Sequence, residues 1–229
     1  MAPHAIVSYD DTENDHDALM LGRILGEAGA QLTLAYVRHT TETQRTREEL
    51  EEHEAEALLQ RGARWLEDDD VERRVVVSGS TGEGLAWLAE QEEADIIVFG
   101  SDYRTAAGHV ALGRSVQMLL EGGRAALAIA PANYRSRRAP EINTVGVLPA
   151  PSNEDAVETA RGLAERFGAT LVQDGRRVDL LVVGSRPEAP AGRVMISSAA
   201  QNSIEEASSP VLVLARGLPL RFESAIAVY

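Results

Sequence analysis

The sequence predicts an α/β protein made of two doubly wound, mostly parallel sheets in tandem, the second lacking about 54 residues of its middle. Three observations carry this reading. Short apolar runs alternate with longer amphipathic stretches, the pattern of strands joined by crossover helices that cover both faces of a sheet. Ala94–Ala130 falls on Val178–Leu214 at a shift of 84, ungapped over 37 positions. The opening "HAIVSYDDTENDHDALMLGRILGEAGAQL" returns as "INTVGVLPAPSNEDAVETARGLAERFGATL" at a shift of roughly 138, so the offsets differ by about 54. Agreement of this length marks a duplicated unit.

In the first half "HAIVSYD" reads as a strand over about 4–10, followed by a helix over 15–28 and a strand over 31–37. A long charged helix is predicted over 42–67, with Leu50, Leu58 and Trp65 as its single apolar stripe. A strand over 71–78 leads into "SGSTGEG", a turn in which Ser80 or Thr81 caps a helix over 81–92. Then come a strand over 94–100, a small-residue loop, a helix over 113–122 and a strand over 125–130. Ligands of such sheets sit beyond the carboxyl ends of the strands. Asp10, Val37 and Gly100 stand at three such ends and point to one crevice.

The unit boundaries read 1–132 and 141–229, with "PANYRSRRAP" supplying an exposed linker at 133–140 or a basic contact patch. The tail 217–229 has no counterpart that assigns it a role. The second half raises a topological question at "ATLV" (169–172), only five residues before "VDLLVV". A parallel crossover needs a dozen or more residues, and Asp174-Gly175 signals a hairpin. "ATLVQ" is therefore expected to be a loop or a short antiparallel arm, leaving three core strands. So small a unit should lean on the first half.

Composition removes several chemistries. The formal charge of −14 argues against nucleic acid and anionic membranes as partners. No run is long enough to span a membrane and no secretory leader opens the chain, so a soluble, cytoplasmic protein is expected. Without Cys there is no disulfide, thiol nucleophile or thiolate metal site. All 22 basic residues are Arg, which excludes Schiff-base chemistry and the lysine-dependent phosphate loop. The five His are scattered, and Asp10-Asp11 reads as a metal pair or as helix capping. No Ser-His-Asp or paired-acid arrangement predicts hydrolysis.

The stretch "FGSDYRTAAGHVALGRSVQMLLEGGRAALAIAP" (99–131) resembles the universal stress protein family, whose nucleotide-binding members carry G-x2-G-x9-G-[ST] before a helix and a Pro-flanked final strand. "DDT" (Asp10, Asp11, Thr12) resembles the family's Asp-x-[ST] start of the first helix. The resemblance covers nearly the whole chain apart from linker and tail, and implies two adenine-nucleotide-binding-like units. Both loops depart from the pattern. In the first, Gly100-Ser101 and Gly113 stand, but Tyr103 replaces the second glycine, Arg114 takes the hydroxyl position and Ser115 comes one residue late. In the second, Gly184 and Ser198 stand, while Pro187 and Ser197 replace glycines and the aspartate position is apolar, near Leu148.

By resemblance, Asp10 and Val37 lie near base or ribose, Gly100 allows close approach, and the Gly113–Ser115 amides face phosphates. Tyr103 is expected to narrow the pocket. Arg114 and Arg104 either grip phosphate through two parallel bonds or are merely solvated. The glycines otherwise only permit tight turns. The family implies a stress-response regulator that binds ATP or a shorter adenine nucleotide, with Mg only if ATP is bound, and no clear turnover. A nucleotide-free interaction module and a slow ATPase are the alternatives. The resemblance also implies an intramolecular pseudo-dimer, Ala125–Ala130 lying antiparallel beside Val211–Leu214, with pairing to another chain as the alternative.

Overall fold

Five parallel strands, each a short apolar run bounded by polar turns, form one end of a nine-stranded sheet. The computed structural model describes residues 2–39, 48–137, 140–151, 153–173 and 177–222. The first-half elements are β1 (His4–Ser8), α1 (Glu13–Glu27), β2 (Gln31–His39), α2 (Glu48–Leu66), β3 (Glu72–Ser78), α3 (Thr81–Gln91), β4 (Ile96–Gly100), α4 (Arg114–Leu119) and β5 (Ala126–Ala130). After a 3-10 turn at Tyr134–Ser136 follow β6 (Thr144–Val147), α5 (Glu154–Phe167), β7 (Thr170–Val172), β8 (Leu180–Val183), α6 (Ser198–Glu205) and β9 (Val211–Val213). Leu50's side chain, the predicted helix start at 42–47, Asp174-Gly175 and the tail from 223 on lie outside the described residues.

The strand order is β3-β2-β1-β4-β5-β9-β8-β6-β7, and every neighbouring pair is parallel except β5–β9. Side chains alternate across the sheet, so two apolar layers form. One places Leu19, Leu59 and Leu163 of α1, α2 and α5 over Val7, Val98 and Val182. The other places Leu85, Val116 and Ile204 of α3, α4 and α6 over Ile97, Leu127 and Leu181. β1 lies between β2 and β4, where the winding reverses, and this sets the crevice at the ends of β1 and β4.

At the centre Leu127 pairs with Val213, Ala128 with Leu212 and Ile129 with Val211, antiparallel, in the strands for which that pairing was expected. Two flanking hydrogen bonds are reciprocal. Val110 N donates to Ala207 O (3.2 Å), and Val194 N donates to Gly123 O (2.8 Å). A shift of 84 turns one pair into the other, which is how an isologous contact behaves.

The expectation for "ATLV" is corrected. Thr170–Val172 is neither loop nor antiparallel arm but the edge strand β7, parallel to β6, so four strands lie beyond the seam. Seven residues separate Val172 from Leu180. They suffice because β7 is only about 10 Å long and one strand away from β8; a return of about 14 Å is within the roughly 23 Å that seven residues reach. The register also refines the repeat. Ala5 faces Ile96 as Val145 faces Leu180, so the opening strands correspond at a shift of 140 rather than roughly 138.

The segment after β5 is anchored at its start, although Asn133, Ser136 and Arg137 are exposed. Buried Asp17 accepts from Asn133 N and Arg135 N, both at 2.8 Å, and pairs with the Arg135 guanidinium at 3.2 Å. Gly217 N donates to Asp155 Oδ2 (2.7 Å) at the matching place, and Asn133 and Gly217 both adopt left-handed φ, 64° and 76°. Arg137 stacks over Tyr134 and donates to Ser208 O. Arg135 and Arg137 are thus both engaged within the fold, with Arg137 still exposed.

Candidate functional site

The crevice starts where β1 stops. Tyr9 N donates to Ala35 O (2.9 Å), the last ladder bond between β1 and β2. Backbone groups of alternate residues face the same neighbour, so Val37 turns its N–H and C=O to the gap past the end of β1, while its side chain is buried. Asp10 lies across this gap, its backbone N held by Asp15 Oδ2 (3.0 Å) and its own carboxylate exposed. Partial desolvation in the crevice mouth, then the Asp15 carboxylate, push the Asp10 pKa above the ordinary carboxylate range against an opposing pull from His39.

Asp11 and Thr12 have other work. Asp11, at φ 57°, accepts from Tyr9 Oη (2.7 Å) and pairs with Arg61 (2.7 Å), which ties the loop to α2 and holds its pKa below the usual range. Thr12 is the N-cap of α1 in a capping box with Asp15. The cap belongs to Thr12, not to Asp10. Its signal was legible as Thr12-x-x-Asp15.

Gly100 and Ser101 are held by the first turn of α1. A Cβ on Gly100 would overlap the Asn14 carbonyl oxygen and lie 2.7 Å from its carbon. Asn14 Nδ2 donates to Ser101 O (2.7 Å). The buried Ser101 hydroxyl donates to Ala130 O (2.7 Å) and accepts from Ala111 N (3.2 Å), pinning both ends of the loop. The second half repeats this 84 residues on: Ser185 Oγ donates to Leu214 O (2.7 Å) and accepts from Met195 N (3.0 Å), and Gly184 is closed by Asn153. Gly-Ser therefore sets the loop's shape in both halves. Asn14, missed in the sequence, is the residue that demands it.

The halves differ at the next helix. Gly113 caps α4 without a side chain, and Gln117 N to Gly113 O is the first bond of the turn. The N–H groups of Arg114, Ser115 and Val116 have no acceptor among the described residues. Arg114 is exposed and forms no ion pair or hydrogen bond among them. This donor set fits an anionic group. At α6, Ser197 caps its own helix by accepting from Ala200 N (3.2 Å), and Ser198 stands exposed on the first turn. Tyr103 is 71% exposed, with the Arg104 guanidinium 4.9 Å above its ring.

Among the described residues no three His, Asp or Glu side chains are grouped to hold a metal ion, and no helix is long and apolar enough to cross a membrane.

Residues 1–127 match the profile of the universal stress protein family. The chain is similar in structure to a universal stress protein from Archaeoglobus fulgidus DSM 4304, at 16% identity and a TM-score of 0.70 over 93% of this chain and 98% of that one. A functionally unknown protein from Pseudomonas aeruginosa PAO1 aligns at 12% identity and a TM-score of 0.62 over 93% of this chain and 92% of that one. A universal stress protein in complex with cAMP aligns at 19% identity and a TM-score of 0.45 over 57% of this chain and 98% of that one. No curated protein sequence matches.

Proposed function

The chain belongs to the universal stress protein family, and we propose that it is a stress-response regulator whose first half binds an adenine nucleotide, ATP or a shorter analogue, without turnover. The observation that carries this reading is the asymmetry of the two helix starts. Among the described residues the three first-turn amides of α4 and the neighbouring Arg114 guanidinium have no partner, while at α6 Ser197 accepts from one of the three, Ala200 N, and Ser198 stands where α4 has Arg114. Phosphates would meet the Arg114–Val116 amides and the guanidinium. Val37's backbone and the Asp10 carboxylate would face base or ribose.

In the same reading, the second half is a trimmed copy that keeps the loop's shape, and the reciprocal hydrogen bonds across β5–β9 support an intramolecular pseudo-dimer. One observation favours a second reading, a nucleotide-free interaction module: Asp11, Thr12, Gly100 and Ser101 are all satisfied within the protein.

Calorimetric titration with ATP, ADP and AMP decides between them. ATP binding that weakens about ten-fold in Arg114→Ala, the size of one charge-assisted bond, supports the nucleotide reading. A gain in Arg114→Ser would mean that the guanidinium blocks the site. No binding at millimolar ligand in wild type or variants leaves the interaction module.

A further inference from the structure

A groove of about 640 Å³ opens at the opposite end of the first-half strands from the nucleotide crevice. Its floor is apolar, formed by Ala86, Ala89, Ile97 and Leu119. Met118 and Leu218 on its lining are 39% and 51% exposed. One wall is α3, which has no counterpart after the seam, and the other comes from Arg193 and Leu218 of the second half.

The charges around it are uneven. Glu90, Glu93 and Glu121 line it, against Arg124 and Arg193. Arg124 is paired with Glu90 (3.1 Å), while Arg193 donates to the Gly122 carbonyl (2.9 Å) and keeps its positive charge, so the lining carries one net negative charge. Glu93 and Glu121 are exposed and make no ion pair among the described residues. The C-termini of α3 and α4 both end at the groove, adding the negative ends of their backbone dipoles. Volume and apolar floor suit a small molecule, and the electrostatics select its sign.

We propose that this groove binds a small lipophilic cation, an apolar body carrying one positive charge, with the apolar part on the α3–α4 floor and the charge between Glu93 and Glu121. The site needs both halves of the chain and is separate from the nucleotide crevice.

Tetraphenylphosphonium and tetraphenylborate, alike in shape and opposite in charge, test this on the full chain by calorimetry. The cation is expected to bind and the anion not. The double variant Glu93→Gln/Glu121→Gln should weaken cation binding about five-fold or more, as expected for two partly exposed charges, and added salt should weaken it in wild type. Ala86→Phe, which fills the floor, should abolish binding while the thermal midpoint shows the fold intact. Glu54→Gln/Glu56→Gln on α2 controls for the overall negative charge and should leave affinity unchanged. Equal binding of both probes, no binding of the cation, or equal losses in the two double variants would overturn the proposal. So would sedimentation showing that Ala86→Phe changes the oligomeric state, since a second copy of the chain would then be the occupant.

Discussion

Ser101→Ala separates a hydroxyl that holds the loop from one that holds a ligand. The Ser101 side chain is 3% exposed and bridges Ala130 O at 2.7 Å to Ala111 N at 3.2 Å, with His109 O at 3.4 Å as a weaker second acceptor. Alanine fits the space but strands a carbonyl and an N–H in a site that water does not readily reach. An unsatisfied buried group costs about 1–3 kcal/mol, and with partial relaxation we expect a loss of about 2–3 kcal/mol. For a chain of this size that lowers the thermal midpoint by roughly 4–12 °C. Calorimetric melting gives the stability, and ATP titration well below the midpoint gives the affinity, which should stay within about two-fold of wild type because no part of the hydroxyl is left to face the crevice. Ser185→Ala should melt early by a similar amount, since its bonds to Leu214 O and Met195 N repeat the arrangement. If Ser101→Ala keeps its midpoint and loses ATP affinity ten-fold, the structural assignment of Gly-Ser is wrong.

Gly100→Ala should destabilise by about 3 kcal/mol or more, because its Cβ meets the Asn14 carbonyl on a packed helix turn, whereas Gly113→Ala, with open space around the added carbon, should cost only about 0.5 kcal/mol; parallel urea titrations would show whether the two differ. The raised pKa of Asp10 means that the folded state keeps a proton the unfolded chain has lost, so its contribution to stability falls as pH rises through and beyond the ordinary carboxylate range. Asp10→Asn should therefore raise the thermal midpoint at neutral pH, leave it unchanged well below the carboxylate range, and weaken ATP binding if the carboxylate meets the ligand. An unchanged neutral-pH midpoint would remove the electrostatic argument.

The alternation of apolar runs and amphipathic stretches was enough to read α/β winding, and the 84-residue repeat marked β4 to β5 and β8 to β9 as like elements, because strand and helix periods and turn residues are written locally. The antiparallel β5–β9 seam came only with the family resemblance. The Thr12-x-x-Asp15 cap was equally local and could have been read. What the loop residues do was not local. Gly100 reads alike whether a phosphate or a helix turn approaches it, and only the packing of α1 shows that Asn14 is the neighbour. Ser101 and Ser185 look like ligand hydroxyls until the final strands bring Ala130 O and Leu214 O within 2.7 Å. β7 escaped the crossover rule because the space to be crossed depends on strand length and order, which pairing decides. The groove beneath α3 and α4 has no motif, since its walls come from residues 86 to 218 and meet only when the two halves share one sheet.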